Sequence, residues 1–379
     1  LYMAVKAHFK MQSWIAWPDA EIRRHHPEAV RRYSEMLRED VEFYRFVQFL
    51  FFRQWKALKA YAGEKGVLFI GDIPIYVAMD SADIWSEPQF FQLDGEGRPK
   101  EVAGVPPDPF TEDGQLWGNP LYDWDRMKAD GYGWWIRRIE GATKLFDMLR
   151  IDHFRGMESY WAVPYGDKTA KNGRWRPGPG MSLVGVLTSW FHGTNFIAED
   201  LGYLTPEVKQ LLKDSGLPGM KVMEFAFDPH GDSDYLPHRC SENSVCYLGT
   251  HDNDTVQGWL ETNDREDLAF AERYMHITPD EGWNWGMIRT GMATSSALFV
   301  VLMQDLLELD GSARMNKPGS DTGNWQWRML PGAADEALAK KLRLYTETFR
   351  RTPLRPEEKE EEAAEETPSE ETPAEEKES

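Results

Sequence analysis

The chain has 379 residues, of which 41% are hydrophobic, so it can bury the core of one barrel-sized domain or of two smaller domains. Its formal net charge of −20 argues against nucleic acid as a partner, because the phosphate backbone would be repelled. Residues 357–379 hold twelve Glu and two Lys, so half of this charge lies at one end of the sequence.

Cysteine content and hydropathy point to a reducing compartment. The two cysteines, Cys240 and Cys246, are too few for a disulfide framework. The longest apolar runs, such as 297–303, are too short to span a membrane, and no signal peptide opens the sequence. We therefore expect a cytoplasmic protein.

Residues 1–64 show helical spacing, with breaks at Trp17-Pro18 and His26-Pro27. The pattern is already under way at Leu1, without a start methionine or a cap, so we expect the chain to begin inside a domain. An apolar stripe in the second half of this region predicts a helix that faces the core. Its residues are Phe43, Phe46, Val47, Leu50, Phe51, Trp55 and Leu58.

The run from Val67 to Val77 is continuously apolar apart from Asp72, which predicts a strand covered on both faces. Asp72 stands where Gly71 and Pro74 end regular pairing, as either a substrate ligand or a loop cap. Residues 80–125 then form a long irregular segment rich in Gly, Pro and Trp, which is typical of a lid or a binding loop.

A second strand is predicted at 148–151, after a helix over 132–146. In a strand, Arg150 and Asp152 would point to the same face. A guanidinium beside a carboxylate lowers the pKa of that carboxylate and keeps it ionised, as a carboxylate nucleophile requires. Taken alone, the same pattern also fits an ordinary ion pair at the end of a strand.

Strands and helices alternate through the rest of the chain. Alternation of this kind predicts βα units and a parallel sheet. Residues 168–180 and 314–328 are expected to be rim loops, and the tail after residue 356 to be disordered. The predicted strands are 195–199, 221–227, 245–249 and the apolar run 297–303, and the predicted helices are 206–215, 265–273, 280–295 and 338–349.

Three acids, Asp152, Glu199 and Asp252, follow predicted parallel strands, whose ends gather at one rim of a βα barrel. Glycosyl transfer needs two carboxyl groups, one on each side of the sugar. Glu199 follows an apolar run and fits the proton donor, whereas Asp152, beside Arg150, fits the nucleophile. Asp252, with His251, would stabilise the developing oxocarbenium ion.

Each acid on its own also fits a role outside catalysis. Any one of them could be a helix cap or an ion-pair partner. Because the three acids stand at successive strand ends, it is improbable that all three have only such roles. His153 with Asp152, or His251 with Asp252 and Asp254, could also be metal ligands. However, no histidine pair has helical i, i+4 spacing and no Cys/His cluster exists, so we expect no metal. Neither a P-loop nor a dinucleotide fingerprint is present.

These residues carry a family resemblance. The chain resembles the amylomaltases, the 4-α-glucanotransferases of glycoside hydrolase family 77, over residues 1 to about 350. The matching stretches stand in family order. They are Gly71-Asp72-Ile73-Pro74-Ile75-Tyr76-Val77, Gly104-Val105-Pro106-Pro107-Asp108, Gly114-Gln115-Leu116-Trp117-Gly118-Asn119-Pro120, Arg150-Ile151-Asp152-His153-Phe154-Arg155-Gly156, Ala198-Glu199-Asp200-Leu201-Gly202 and His251-Asp252-Asn253-Asp254.

The resemblance implies an α/β fold, a (β/α)8 TIM barrel with inserted loops, over residues 1–350, followed by an acidic tail at 351–379. It implies Asp152 as nucleophile, Glu199 as acid/base and Asp252 as transition-state stabiliser in a retaining transfer. An α-1,4-glucan segment would move onto glucose or a maltooligosaccharide, and no cofactor is implied.

The resemblance also implies substrate contacts and two departures from the family. Asp72, Arg150 and His251 would contact the sugar at the cleavage site, and the loop that carries Trp117 and Asn119 would cover the acceptor. The first two barrel strands would lie before residue 1, and the acidic tail lies outside the family pattern. The alternatives are an α-glucan hydrolase and an inactive, glucan-binding fragment that folds poorly because its barrel is open.

Overall fold

A computed structural model describes residues 1–108, 111–202, 204–320 and 322–352. The chain divides into two compact units. The first unit comprises residues 1–221, 241–245 and 296–298, and the second comprises residues 222–240, 246–295 and 299 onward. The predicted single domain over 1–350 stays a prediction, and the predicted disordered tail lies outside the described residues from 353 onward.

The described part of the chain contains ten strands and fifteen α-helices. The strands are β1 (Ile70–Ile73), β2 (Glu101–Val105), β3 (Gln115–Pro120), β4 (Met148–Ile151), β5 (Ser159–Pro164), β6 (Arg174–Pro177), β7 (Asn195–Ala198), β8 (Gly219–Val222), β9 (Ser244–Tyr247) and β10 (Leu298–Val300). The helices are α1 (Tyr2–His8), α2 (Ala20–Arg23), α3 (Pro27–Met36), α4 (Arg38–Glu64), α5 (Ala82–Ser86), α6 (Trp124–Ala129), α7 (Gly133–Thr143), α8 (Arg155–Glu158), α9 (Met181–Trp190), α10 (Pro206–Ser215), α11 (Val256–Thr262), α12 (Arg265–Met275), α13 (Gly282–Met292), α14 (Met303–Leu306) and α15 (Glu336–Thr348).

The larger sheet has six strands in the order β1-β4-β7-β8-β9-β10. The pairs β1/β4, β4/β7 and β7/β8 are parallel, and helices separate these strands along the chain. This confirms the predicted α/β class with its βα units. Because strands of a parallel sheet run the same way, the residues that follow β1, β4 and β7 lie at the same edge.

A second, four-stranded sheet in the order β3-β2-β5-β6 is not predicted by the sequence pattern. Its antiparallel pairs bring 101–105 against 115–120 and 159–164, and 159–164 against 174–177. The pattern indicates irregular structure at 80–125 and 168–180, because the strands there are short and interrupted by Gly and Pro. Trp117 and Asn119, which the sequence pattern places in a loop, lie on β3 of this sheet.

Local sequence signals explain where α10 and α11 begin and where α10 ends. Thr205 caps α10 by accepting from the N–H of Val208, Pro206 occupies its first turn, and Gly216 ends it in a left-handed conformation (φ 68°). In the same way Thr255 caps α11 directly after the loop that carries Asp252. The boundaries of α10 agree with the sequence-based prediction.

Each unit has its own hydrophobic core. In the first unit the core is aromatic, with Trp17, Tyr122 and Trp135 fully buried. In the second unit it centres on Trp285, Met287 and Ile288. No helix among the described residues is both long enough and apolar enough to cross a membrane.

The prediction that the stripe on α4 faces the core is wrong for most of its residues. Phe43, Phe46 and Phe51 are 59%, 57% and 49% exposed. The helix is apolar on more than one side, and it packs through the side that carries Val41 and Trp55, whose indole donates to the carbonyl of Leu145. Periodicity alone could not say which apolar side is covered.

Two strand predictions also need correction. The strand β1 is buried on one face only, with Gly71 and Ile73 inside and Ile70 and Asp72 outside. The strand predicted at 221–227 is observed as β8 at Gly219–Val222, and residues 223–225 form a 3-10 turn instead. The two strands expected before residue 1 stay a prediction.

Candidate active site

Arg150 connects two predicted site carboxylates in the first unit. Its Nη1 donates to Oδ2 of Asp72 at 2.7 Å, and its Nη2 donates to Oδ1 of Asp152 at 3.1 Å. Asp72 and Arg150 are directly paired in the register of β1 and β4. The predicted placement of Arg150 and Asp152 on one face is thus confirmed, and one guanidinium binds both carboxylates.

Burial distinguishes the guanidinium from its partners. Arg150 is 8% exposed, whereas the side chains of Asp72 and Asp152 are 41% and 39% exposed. Burial by itself lowers the pKa of Arg150, but the charges of Asp72, Glu199 and Asp152 outweigh this effect and raise it. The cation is therefore fixed below two acids whose carboxylates remain accessible.

Glu199 lies in a different environment from Asp152. Burial raises the pKa of Glu199 to about 7, and the charge of Asp152 adds to the rise, whereas Arg150 and two backbone N–H groups oppose it. These two N–H groups belong to His153, which donates to Oε2 at 2.6 Å, and to Leu201, which donates to Oε1 at 2.9 Å. One carboxyl group is thus able to carry a proton near neutral pH beside another that is ion-paired.

Trp117 and Asn119, both on β3, have different surroundings. The Trp117 side chain is partly exposed and meets the imidazole of His153 edge to face, with the ring centroids 4.8 Å apart. Asn119 uses its amide nitrogen to donate to the carbonyl of Val77 at 3.0 Å, which ties β3 to the loop after β1. Trp117 is therefore the residue of this pair with an aromatic surface beside His153.

Asp252 and His251 follow β9 in the second unit. Nε2 of His251 lies 3.5 Å from Oδ2 of Asp252, and Asn316 donates from its side chain to Oδ1 of Asp252 at 2.6 Å. The indole of Trp325 lies against the His251 ring, with 5.1 Å between centroids. Asp252 therefore has fixed partners, while its side chain stays 43% exposed.

The loop over 314–328 supports this acid, a role that the sequence pattern does not predict. Arg314 donates to the backbone carbonyl of Asp252 at 2.6 Å and pairs with Asp254 at 3.4 Å. The backbone N–H of Asn316 donates to the carbonyl of His251 at 3.0 Å. No local pattern links positions that are sixty or more residues apart, so the sequence offers no signal for these contacts beyond the polar composition of the loop.

Two buried acids in the second unit were also missed. Burial raises the pKa of Glu224, and the charges of Asp305 and Asp254 raise it further. Burial likewise raises the pKa of Asp305 to about 6, although one of its oxygens accepts from the N–H of Val256 at 2.8 Å. Each acid has one buried oxygen without a hydrogen-bond partner among the described residues.

The structure therefore brings together four of the predicted residues, Asp72, Arg150, Asp152 and Glu199, in the first unit. It places Asp252 and His251 together in the second. Within the described ranges, no group of three or more His, Cys, Asp or Glu side chains is arranged to hold a metal ion. The first group pairs one proton-bearing carboxyl with one ion-paired carboxylate, which is the arrangement that glycosyl transfer through a covalent intermediate requires.

Comparison with known proteins gives a consistent result. A sequence profile described as 4-alpha-glucanotransferase matches residues 1–333. The chain is 46% identical over 354 residues to the 4-alpha-glucanotransferase of Clostridium butyricum, covering 93% of this chain and 72% of that protein. It is also 46% identical over 358 residues to the enzyme of the same name from Thermus thermophilus, covering 93% of this chain and 71% of that one.

A solved structure agrees in fold. The amylomaltase of Streptococcus agalactiae in complex with acarbose superposes with a TM-score of 0.90 at 42% identity. The match covers 93% of this chain and 71% of that one. This similarity confirms the predicted barrel-type α/β fold class.

Proposed function

Because the chain belongs to the 4-alpha-glucanotransferase family, glycoside hydrolase family 77, we propose that its acids carry out a retaining transfer of α-1,4-glucan segments. The protein is a transglycosidase of this type, and a glucan hydrolase is not favoured. The assignment of individual residues and of the acceptor is the proposal. The observation that carries it is the contrast between Asp152, bonded to Arg150, and Glu199, whose pKa is raised to about 7.

In the first step, Asp152 attacks the anomeric carbon while Glu199 gives its proton to the departing glycosidic oxygen. The attack forms a glycosyl ester on Asp152 and releases the reducing-end part of the donor with a new hydroxyl group. Arg150 orients the attacking carboxylate and balances its charge, because it donates to Asp152 from a buried position. Glu199 is able to act as the acid because burial holds its proton near neutral pH.

In the second step, Glu199 takes a proton from the 4-hydroxyl of the acceptor, whose oxygen displaces Asp152 from the anomeric carbon. Esterification has by then neutralised Asp152, which removes the negative charge that raised the pKa of Glu199. The pKa of Glu199 should therefore fall at the intermediate, when a base is needed. The same pair of groups supports both steps.

The remaining predicted residues are proposed to bind and stabilise the sugar. Asp72 would accept hydrogen bonds from sugar hydroxyls, and His251 would donate to them. Trp117 would offer an aromatic face to the acceptor. Asp252, oriented by Asn316, would bind ring hydroxyls more strongly as the ring flattens toward an oxocarbenium ion. Asn119, also on β3, is proposed as a further contact to the acceptor.

The acceptor and the location are also proposals. We propose glucose or a maltooligosaccharide as acceptor, since the glucan segment bound to Asp152 must be joined to a 4-hydroxyl group. We propose a reducing, cytoplasmic compartment, which is supported by the two buried free thiols of Cys240 and Cys246. Incubation with maltotriose should give glucose together with chains longer than the substrate, whereas shorter sugars alone would indicate hydrolysis.

The roles of the acids can be separated with two donors. Glu199→Gln should lose turnover of maltotriose but retain formation of the glycosyl enzyme from maltotriosyl fluoride, because fluoride leaves without a proton. Asp152→Asn should lose both reactions. Asp94→Asn is a matched control, since Arg98 binds Asp94 at 3.0 Å on the surface. Turnover of either donor by Asp152→Asn would refute the assignment of the nucleophile.

A further inference from the structure

The carboxyl group of Glu199 is held by a residue that is distant in the chain. Leu201, two residues on, donates its N–H to one oxygen, but the other oxygen accepts from the N–H of His153 at 2.6 Å. His153 follows β4, whereas Glu199 follows β7. The proton donor on one strand end is therefore oriented by the backbone of the neighbouring strand end.

The backbone around His153 encloses Glu199 on more than one side. The N–H of Phe154 donates to the carbonyl of Glu199 at 2.9 Å, and the N–H of Glu199 donates to the carbonyl of Ile151 at 3.0 Å. Main chain and side chain of Glu199 are thus both bound to residues 151–154. A change in the backbone of this short segment would move the carboxyl group.

His153 has a left-handed backbone conformation, with φ of 50°. Residues other than Gly adopt this conformation only in a few per cent of cases, because Cβ approaches the following carbonyl, although His, Asn and Asp adopt it more often than the others. It persists only where surrounding structure maintains it, and such positions concentrate at functional sites. Here it directs the N–H of His153 toward Oε2 of Glu199.

The imidazole of His153 is packed rather than charged. Trp117 meets it edge to face at 4.8 Å between centroids, and Gly156 lies so close that an added Cβ would come within 3.0 Å of Cδ2 of His153. Burial, aided by the charge of Arg155, lowers the pKa of His153 to about 4. The ring is therefore neutral at pH 7, and it influences Glu199 through the backbone that it anchors rather than through a positive charge.

We propose that His153 is a positioning residue for the proposed acid/base Glu199, acting through a backbone N–H that its left-handed conformation aims at the carboxyl group. The inference rests on the proposed function, since it concerns the residue assigned there as proton donor. An N–H donor favours the ionised carboxylate, so the hydrogen bond from His153 opposes the effect of burial.

Besides this donor, two charged side chains and one further N–H group act on Glu199. Arg150 lies on β4 and lowers the pKa of Glu199, and Asp152 follows β4 and raises it. Leu201 continues to supply the second N–H. Loss of the His153 donor alone should therefore raise the pKa of Glu199 and move the basic limb of the pH profile toward higher pH.

Three substitutions separate the backbone from the ring. His153→Gly adopts a positive φ without strain, and His153→Asn tolerates it better than other residues, whereas His153→Ala does not favour it. All three lack the imidazole. For kcat/KM on maltotriose, we expect the basic limb of His153→Ala to move up by about half a pH unit to one unit, with the Gly and Asn variants close to wild type.

His276 provides a matched control. It is also a histidine with positive φ, 53°, at the end of α12. His276→Ala should leave the basic limb unchanged. If His153→Ala does not fold, His153→Ser replaces it, since serine also disfavours the left-handed region.

The outcomes distinguish this inference from the proposed function. The inference would be overturned if the basic limb of the kcat/KM profile of His153→Ala coincides with that of wild type. It would also be overturned if the basic limb of His153→Gly moves as far as that of His153→Ala. Both leave the proposed function intact as long as Glu199→Gln is inactive on maltotriose. Turnover of maltotriose by Glu199→Gln would instead show that the proposed function has failed.

Discussion

Arg150 binds Asp152 through a hydrogen bond of 3.1 Å while remaining 8% exposed. The two side chains stand two residues apart, at the end of the same strand. The buried cation can neither rotate away nor be replaced by water without leaving a charge unpaired. This guanidinium therefore helps to orient the proposed nucleophile, and it also binds Asp72.

Arg150→Lys should retain the charge but lose activity. A lysine ammonium lacks the planar fork with which Arg150 reaches Asp72 and Asp152 together. We expect kcat/KM on maltotriose to fall by about a hundredfold or more. The control is Arg137→Lys, because Arg137 binds both oxygens of Glu87 at an exposed site. Equal activity of wild type and Arg150→Lys would contradict the prediction.

The stability of the protein should depend on the titration of Glu199. The unfolded chain loses this proton near the usual pKa of 4.5, whereas the folded protein retains it to about 7. Between these values only the folded state binds the proton, so the free energy of unfolding falls as the pH rises. Glu199→Gln removes this titration. The free energy of unfolding of Glu199→Gln, measured relative to wild type at the same pH, should therefore rise by about 3 kcal/mol between these two pH values.

Urea titrations at several pH values check this prediction. A comparison at a single pH is not sufficient, because the amide also changes the hydrogen bonds with His153 and Leu201. The titration of Glu199 is measured by how the difference in the free energy of unfolding between wild type and Glu199→Gln changes with pH. A difference that stays constant from about pH 4 to about pH 8 would show that the pKa of Glu199 is not raised in the folded state.

Asn316→Ala should reduce catalysis with little effect on donor binding. The side chain of Asn316 donates to Oδ1 of Asp252 at 2.6 Å, so its loss removes the hydrogen bond that orients this oxygen. A displaced stabilising group lowers kcat by roughly tenfold to a hundredfold. Asn172→Ala, at an exposed pair with Asp167, serves as control. If KM changes and kcat does not, Asn316 acts on substrate binding rather than on Asp252.

Gly71→Ala should destabilise the protein and reduce its activity. A Cβ at residue 71 would overlap the ring of Phe146, which packs against β1 next to Asp72. Overpacking of this kind lowers the free energy of unfolding by about 1–3 kcal/mol. Gly141→Ala, in α7 with open space around the added atom, should instead stabilise by about 0.5–1 kcal/mol. Thermal unfolding of both variants measures the contrast.

The sequence predicted those features that depend on local chemistry. The helix α10 follows its Thr-Pro start and glycine end, and the contact of Arg150 with Asp152 follows the two-residue repeat of a strand. Family motifs identified the class of enzyme. These predictions succeeded because each signal lies within a few residues of the structure that it determines.

Features that depend on tertiary packing could not be predicted. Packing against other elements determines which side of α4 is buried, and the aromatic stripe predicted to be buried is mostly exposed. The support of Asp252 by Asn316 joins loops that no local pattern connects. The hydrogen bond from His153 to Glu199 requires a left-handed residue that composition does not indicate.

Because Asp72 and Arg150 are directly paired in the register of β1 and β4, the geometry of the proposed site depends on the alignment of these strands. A slip of one position would turn either side chain to the opposite face and separate the acid from its cation. Enzymatic turnover is therefore a more sensitive gauge of strand alignment than any spectroscopic signal of helix content. Under mild denaturation, we expect activity to vanish while circular dichroism still reports a folded chain.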